Sequence, residues 1–331
     1  MLKKIDWESQ IGRRLRLRDL HVFHAVVQHR SMAKAAVQLG VSQPAVSEVI
    51  ADLEHALGVR LLDRSTQGVE PTIYGNALLK RSIAVFDELK QSVRDIEFLA
   101  DPTTGEIRIA CGSAIATTVI PHVLERFAKK YPRVVLHFDE VASATRFAEL
   151  RDRKYDLMLR REPPLQAGEH PADDLNIEFL FDDPLVVAAG IQTRWTRRRR
   201  IDLAELVDEP WIMQAPHTWH HQRLAEAVHA RGLAMPRASL VTPCMAVIAH
   251  FLANGPFITA MPRSVVRFNS KVLPVDLPVR PWPVTIVTLK NRTLSPVVER
   301  FIECAREVTK SMISKPSTRK SEAERLQLRD S

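Results

Sequence analysis

The side chains best placed to do chemistry stand at the start of one short amphipathic segment. Ser42, Gln43 and Pro44 open it, Ser47 and Glu48 follow a turn later, and Val46, Val49, Ile50, Leu53 and Leu57 recur behind them at spacings of three and four. That spacing predicts a helix with an inward apolar stripe and polar residues facing out near its amino end. Ser42 can cap this helix, and Pro44 falls in the first turn, where a missing N–H costs little. A glutamine amide can pair with adenine and a serine hydroxyl with several base edges, so Gln43 and Ser47 suit reading of double-stranded DNA in its major groove. The alternative is a set of solvated polar residues on an ordinary helical bundle.

The elements that must position these residues argue for the reading head. Leu20, Phe23, His24 and Val27 lie on a first helix, and Ser31 stands as the cap of a second, slim one carrying Met32, Ala33, Ala35, Ala36 and Leu39. Gly40 ends it, and Gly40-Val41-Ser42 makes the short glycine turn of a helix-turn-helix, whose second helix enters DNA by its amino end. After Gly58, the stretch from Val59 to Pro71 reads as a hairpin around Ser65-Thr66-Gln67-Gly68, a wing. Arg60 and Arg64 on it are placed to meet phosphates, contacts that fix register without reading sequence, and Gln67 at its tip is a further DNA-binding candidate. Thr72 then caps a long helix to about Leu99, where Leu79, Ile83, Phe86, Leu89, Val93 and Ile96 alternate by three and four like a coiled-coil seam. A rod of roughly 40 Å outruns so small a domain and calls for a partner helix, unless it is buried against its own chain.

Asp101-Pro102-Thr103-Thr104-Gly105 reads as a linker, and from there strand-like and helical patterns alternate. Ile107–Cys111, then a helix over 118–131, the strand Val134–Phe138, a helix over 144–154 and the strand Tyr155–Leu159 imply parallel strands with crossover helices. Ligands of such sheets sit beyond the carboxyl ends of the strands, at helix amino termini. Ser113 and Thr117 follow the first strand, Ser143 and Thr145 the second, Gln214, His217 and Thr218 the strand Trp211–Met213, and Thr242 the strand at Leu240-Val241. Each hydroxyl alone reads as a helix cap. Together they line a cleft suited to a small anionic or polyhydroxylated molecule, such as a carboxylate or a sugar acid.

Other chemistry finds little support. His217, His220 and His221 match no familiar metal spacing, and no nucleophile elbow, phosphate loop or dinucleotide fingerprint follows a strand, so neither an enzyme nor a cofactor is expected. Asp182-Asp183 before Pro184 reads as a solvated turn, and Arg197 to Arg200 as a solvated loop. Cys111, Cys244 and Cys304 are too far apart for a zinc knuckle or disulfide framework and read as ordinary thiols rather than redox sensors. The 331 residues, 45% hydrophobic and 26% charged, suffice for two or three domains, and no apolar run approaches the length of a membrane span. The net charge of +8 suits a polyanionic partner.

Ala33 to Ala36 with Leu39, Val41-Ser42-Gln43-Pro44-Ala45-Val46-Ser47, Leu53-Glu54, Leu57 to Arg64, and Pro71-Thr72 with Gly75 together resemble the winged helix-turn-helix of LysR-type transcriptional regulators. Met32 to Ala36 and the wing segment from Asp63 to Thr72 are most similar to a subgroup linked to sugar and sugar-acid uptake. One departure is Glu48, where the family commonly carries a basic residue; a carboxylate there repels phosphates yet can accept from cytosine. The resemblance implies an α plus α/β chain. A flexible leader over 1–14 precedes the winged helix-turn-helix over 15–71 and a dimerising linker helix and hinge over 72–104. An effector-binding domain over 105–310 and a flexible tail over 311–331 complete it. The effector domain would hold two Rossmann-like subdomains resembling a type 2 periplasmic binding protein, one of about 105–188 with 284–310, the other of about 189–283. The expected partners are operator DNA, a small effector in the cleft, a second copy or three more in a homodimer or homotetramer, and RNA polymerase, in the cytoplasm and with no membrane. A solute-binding module with no DNA-directed function is the rival.

Overall fold

The computed structural model describes residues 15–65, 68–141, 147–161, 173–266 and 269–314. The chain divides into two compact units, one up to Ser92 and one from Val93 onward. In the first, α1 (Leu17–His29), α2 (Met32–Leu39) and α3 (Gln43–Leu57) surround a core of Phe23, Val26, Ala35, Ala36, Val46, Ile50 and Leu53. Ser31 and Ser42 cap α2 and α3 by accepting from the Lys34 and Ala45 N–H groups, and Gly40, at φ 66°, makes the turn between them. The wing is an antiparallel pair, β1 (Leu62–Ser65) with β2 (Gly68–Pro71). A single carboxylate ties it to α3: Glu54 Oε1 accepts from the Leu61 N–H at 2.7 Å and the Leu62 N–H at 3.1 Å. On the other strand the Val69 N–H donates to the Arg30 carbonyl at 3.0 Å.

The rod α4 spans Ile73–Ala100, 28 residues or about 42 Å. Thr72 caps it by accepting from the Gly75 N–H at 3.1 Å while donating to the Arg60 carbonyl at 2.8 Å. Gly75 is there because a Cβ would strike the Leu61 carbonyl. The seam differs from expectation in its first half. Leu79 packs into the core of the first unit and Phe86 meets the His21 ring at 6.1 Å, so with Ile83 these residues are half-buried within their own chain. The exposed stripe is Val85, Leu89 at 43%, Val93 at 55%, Ile96 at 66% and Leu99 at 79%.

Among the described residues, the second unit holds two five-stranded sheets. The first, in order β4-β3-β5-β12-β6, uses β3 (Thr104–Cys111), β4 (Arg133–Glu140), β5 (Leu157–Arg161), β6 (Leu175–Asp182) and β12 (Pro283–Leu289). Its helices are the single turns α5 (Ser113–Ala116) and α7 (Ala148–Arg151), then α6 (Val119–Lys130) and α10 (Pro296–Ser314). The second sheet, β11-β7-β10-β8-β9, uses β7 (Leu185–Gly190), β8 (Trp211–Met213), β9 (Ala238–Val241), β10 (Ile258–Pro262) and β11 (Ser270–Val272), with α8 (Trp219–Ala230) and α9 (Met245–Asn254).

Three expectations need correction. Both sheets are mixed: β3 pairs in parallel with β4 and β5, but β12 runs antiparallel to β5 and β6, and β7 antiparallel to β10 and β11. A strand that returns from the other subdomain enters its sheet in whichever direction the crossing leaves it, which local periodicity does not record. That crossing falls at Asp183-Pro184, so β7 belongs wholly to the second sheet and the boundary lies ahead of 188. The helix expected over 144–154 stops at Arg151, ahead of Arg153 at φ 58°, while 144–146 lie outside the described residues.

A polar knot is buried in this unit around Asp156. Asp156 Oδ1 accepts from Arg292 at 2.8 Å and from Arg94 at 3.4 Å, while its Oδ2 accepts from the Arg108 N–H at 2.8 Å. Arg94 also donates to Glu106 at 2.6 Å, and Arg292 to the Tyr155 carbonyl at 2.7 Å.

Candidate functional site

At the head, the structure places Ser42, Gln43, Pro44 and Glu48 on the exposed amino end of α3, with Ser47 half-buried beside them. The opposite face carries Val46, Ile50 and Leu53 into the core, so the polar face is held rigidly. Arg60 and Arg64 are exposed at the base and on the first strand of the wing. Gln67 lies outside the described residues.

In the carboxy-terminal unit the expected lining is only partly brought together. Ser113 opens α5 directly after β3, half-buried. Thr117 closes that turn and stands, exposed, just ahead of Thr118 at the amino end of α6, its hydroxyl proton directed at the Ser113 and Ala114 carbonyls at 3.2 Å each. Ser143 and Thr145 lie outside the described residues. Across the second sheet, Gln214, His217 and Thr218 do gather with Thr242, because the Thr242 N–H donates to the Met213 carbonyl at 3.0 Å. Thr218 is the cap of α8, accepting from the His221 N–H and donating to the Ala215 carbonyl at 2.7 Å. Thr242 accepts from the Cys244 N–H at 3.1 Å, the Gln214 carbonyl meets His221 Nδ1 at 3.2 Å, and His217 is exposed.

The residues that join the two subdomains are ones the sequence reading passed over. Arg161, at the end of β5, lies one residue past Arg160 and its guanidinium sits 5.1 Å from the centre of the Trp219 ring at the start of α8. It forms an ion pair with Asp183 in which both side chains are 3% exposed. Asp183 also accepts from the Ser264 N–H at 3.0 Å and hydroxyl at 2.5 Å, so the supposed solvated turn is a buried clasp at the crossing between sheets. His220 is 6% exposed, its ring 4.2 Å from that of Trp219, and among the described residues neither ring nitrogen has a partner. Nε of Arg161 and Nε of Arg223 are likewise buried and unpartnered. Arg223 covers Trp282, which stacks near Trp219 at 6.0 Å. The sequence signal was the Trp219-His220 pair at the start of an amphipathic helix, hidden by its likeness to a surface run of histidines.

Burial, then the neighbouring Arg161 charge, pushes the His220 pKa from 6.5 down to about 3. A group depressed in the folded state stabilises above its unfolded pKa and loses that contribution as pH falls through the folded one. Thermal melts should therefore show stability declining from about pH 6.5 towards 3, and His220→Phe should flatten that decline. An unchanged slope would assign the acid sensitivity to other groups. Burial, followed by Glu140, raises the Cys111 pKa, and burial raises that of Cys304; thiols held protonated are poor nucleophiles. Among the described residues no group of three or more His, Cys, Asp or Glu is placed to hold a metal ion, and no helix is long and apolar enough to cross a membrane.

Comparison with known proteins agrees with both halves. Residues 17–76 match the bacterial regulatory helix-turn-helix protein family of the lysR type, and residues 100–310 the LysR substrate binding domain. The HTH-type transcriptional regulator TdcA of Escherichia coli strain K12 is 26% identical over 294 residues, 87% of this chain and 91% of the relative. GbpR of Azospirillum brasilense is 26% identical over 293 residues, 86% of this chain and 83% of the relative. Among solved structures, a full-length OxyR from Pseudomonas aeruginosa shares the fold with a TM-score of 0.61 at 20% identity, over 89% of this chain and 95% of that one. Full-length CbnR in complex with its target DNA does so at 0.51 and 22%, over 89% and 100%. With its helix-turn-helix at the amino end and its substrate-binding unit beyond, the chain belongs to the LysR family of DNA-binding transcriptional regulators with a carboxy-terminal effector-binding domain.

Proposed function

We propose that this regulator reads its operator through Gln43 and Ser47, with Ser42 and Pro44 setting the entry of α3, Arg60, Arg64 and Gln67 touching phosphates, and Glu48 tuning base preference. The observation that carries this is the two-faced α3, whose amino end leaves Gln43 exposed on a backbone fixed by core residues behind it. The protein would act in the cytoplasm as a homodimer or homotetramer, altering the work of RNA polymerase at its promoter rather than catalysing a reaction. A small molecule entering the carboxy-terminal unit near Ser113, Gln214, Thr218 and Thr242 would set its activity. A carboxylate or sugar acid suits the donors there.

Gln43→Ala and Ser47→Ala should each lose about 1–3 kcal/mol for the operator and little on random duplex, measured side by side at fixed salt. Glu48→Arg should raise random-duplex affinity and steepen its salt dependence. Equal losses on both DNAs would move Gln43 and Ser47 to phosphate duty.

A further inference from the structure

Five of the seven residues from Arg194 to Arg200 are arginines, and the fold holds them in place beside β11. Trp195 and Ile201, 5% and 3% exposed, are sunk in the core of the second subdomain on either side of the run. Between them the backbone is tied down. The Arg198 N–H donates to the Trp195 carbonyl and the Ile201 N–H to the Pro274 carbonyl, both at 3.2 Å, while Lys271 on β11 donates to the Thr196 carbonyl at 2.9 Å. The side chains from Arg197 to Arg200 are nonetheless all exposed. Glu205 pairs with Arg198, Glu209 pairs with Arg194, and Asp202 caps the next turn by accepting from the Ala204 N–H at 3.0 Å. Among the described residues, Arg197, Arg199 and Arg200 meet no carboxylate.

We propose that this arginine edge is a second DNA contact, which holds the phosphate backbone of duplex outside the sequence read by the helix-turn-helix. The proposal rests on the chain being a DNA-binding regulator, and not on which side chains of α3 read bases. Three unpaired guanidiniums within four residues attract an anionic chain, and the planar fork of each matches a phosphate. The large apolar side chains of the segment, Trp195, Ile201, Leu203 and Leu206, are all buried, so the edge offers charge without the apolar centre that anchors a protein partner. Duplex is also the polyanion that the amino-terminal head already holds, which raises its concentration around the rest of the same molecule. Because the loop is ordered before binding, little conformational entropy is lost when phosphates arrive. Contacts of this kind add affinity and salt dependence but no base preference.

The test measures binding of the full chain to random-sequence duplex of about 80 base pairs by fluorescence anisotropy, between roughly 50 and 200 mM salt. Arg197→Gln combined with Arg199→Gln and Arg200→Gln should weaken binding about tenfold or more at the low end, and lower the slope of log affinity against log salt by about 2–3 for each bound protomer. Lysine at the same three positions keeps the charge and should retain most of both quantities. Both variants should melt with the wild type, because all three side chains are exposed. Gln43→Ala should leave this binding nearly unchanged, so failure of the α3 assignment shows in a different variant. Wild-type affinity and slope in the glutamine variant overturn the proposal, and so does a loss that the lysine variant shares in full. Unchanged duplex binding alongside loss of a complex with purified RNA polymerase overturns it too, and gives the edge to an acidic protein surface.

Discussion

Leu89→Asp combined with Ile96→Asp should convert the protein to a monomer in sedimentation and weaken operator binding by about 100-fold or more, through loss of the second half-site. Both side chains sit on the exposed stripe of α4 with Val85, Val93 and Leu99, an apolar row along a rod of 28 residues. An apolar row of this spacing on a long helix is what a two-stranded coiled coil buries, and a carboxylate placed there costs several kcal/mol (about 2–7 even for an uncharged polar group). Phe86 is unsuitable for this test because its ring is engaged with His21 in its own head, so an aspartate there would confound assembly with folding. Retention of the wild-type species by the Leu89/Ile96 variant would show that the stripe serves another purpose.

Asp156→Ala should be the most damaging single change in the carboxy-terminal unit, with a loss of about 3–5 kcal/mol in urea unfolding followed by tryptophan fluorescence. The carboxylate joins Arg94 on α4, Arg292 ahead of α10 and the Arg108 N–H on β3, and both it and Arg292 are almost wholly buried. Removing it takes from the nearly dry Arg292 guanidinium the carboxylate that balances its charge, while its bond to the Tyr155 carbonyl remains. Asp156→Asn keeps the shape and one acceptor and should fall between the two. A loss below about 1 kcal/mol for Asp156→Ala would place the knot at the value of an ordinary surface pair.

How legible this was varied with the range of the signal. The head could be read because its determinants are local: Ser31 and Ser42 cap, Gly40 turns, and Val46, Ile50 and Leu53 share a face within a few residues of Gln43. The strands of the carboxy-terminal unit were found approximately, yet their directions were not, since β12 reaches its place between β5 and β6 only after the chain has built another sheet. The site fared least well. A hydroxyl after a strand suits a ligand donor and a local cap equally in sequence, and Thr117 and Thr218 bond to their own backbone. Arg161, Asp183 and His220 meet across separations of tens of residues, and their meaning is burial, which no spacing encodes.

The attachment of the wing has a consequence for motion. A two-stranded hairpin with four residues per strand is marginal in isolation and would ordinarily fray on its own timescale. Here Glu54 holds its first strand to α3, and the Arg30 carbonyl holds its second to the end of α1. The amides of Leu61, Leu62 and Val69 are therefore bonded outside the hairpin or at its root, and they exchange with solvent only when the hairpin parts from α3 and the end of α1. The wing is thus held against the recognition helix by bonds beyond its own ladder. An operator meets them as a single preassembled surface, with the ordering entropy of the hairpin already spent during folding.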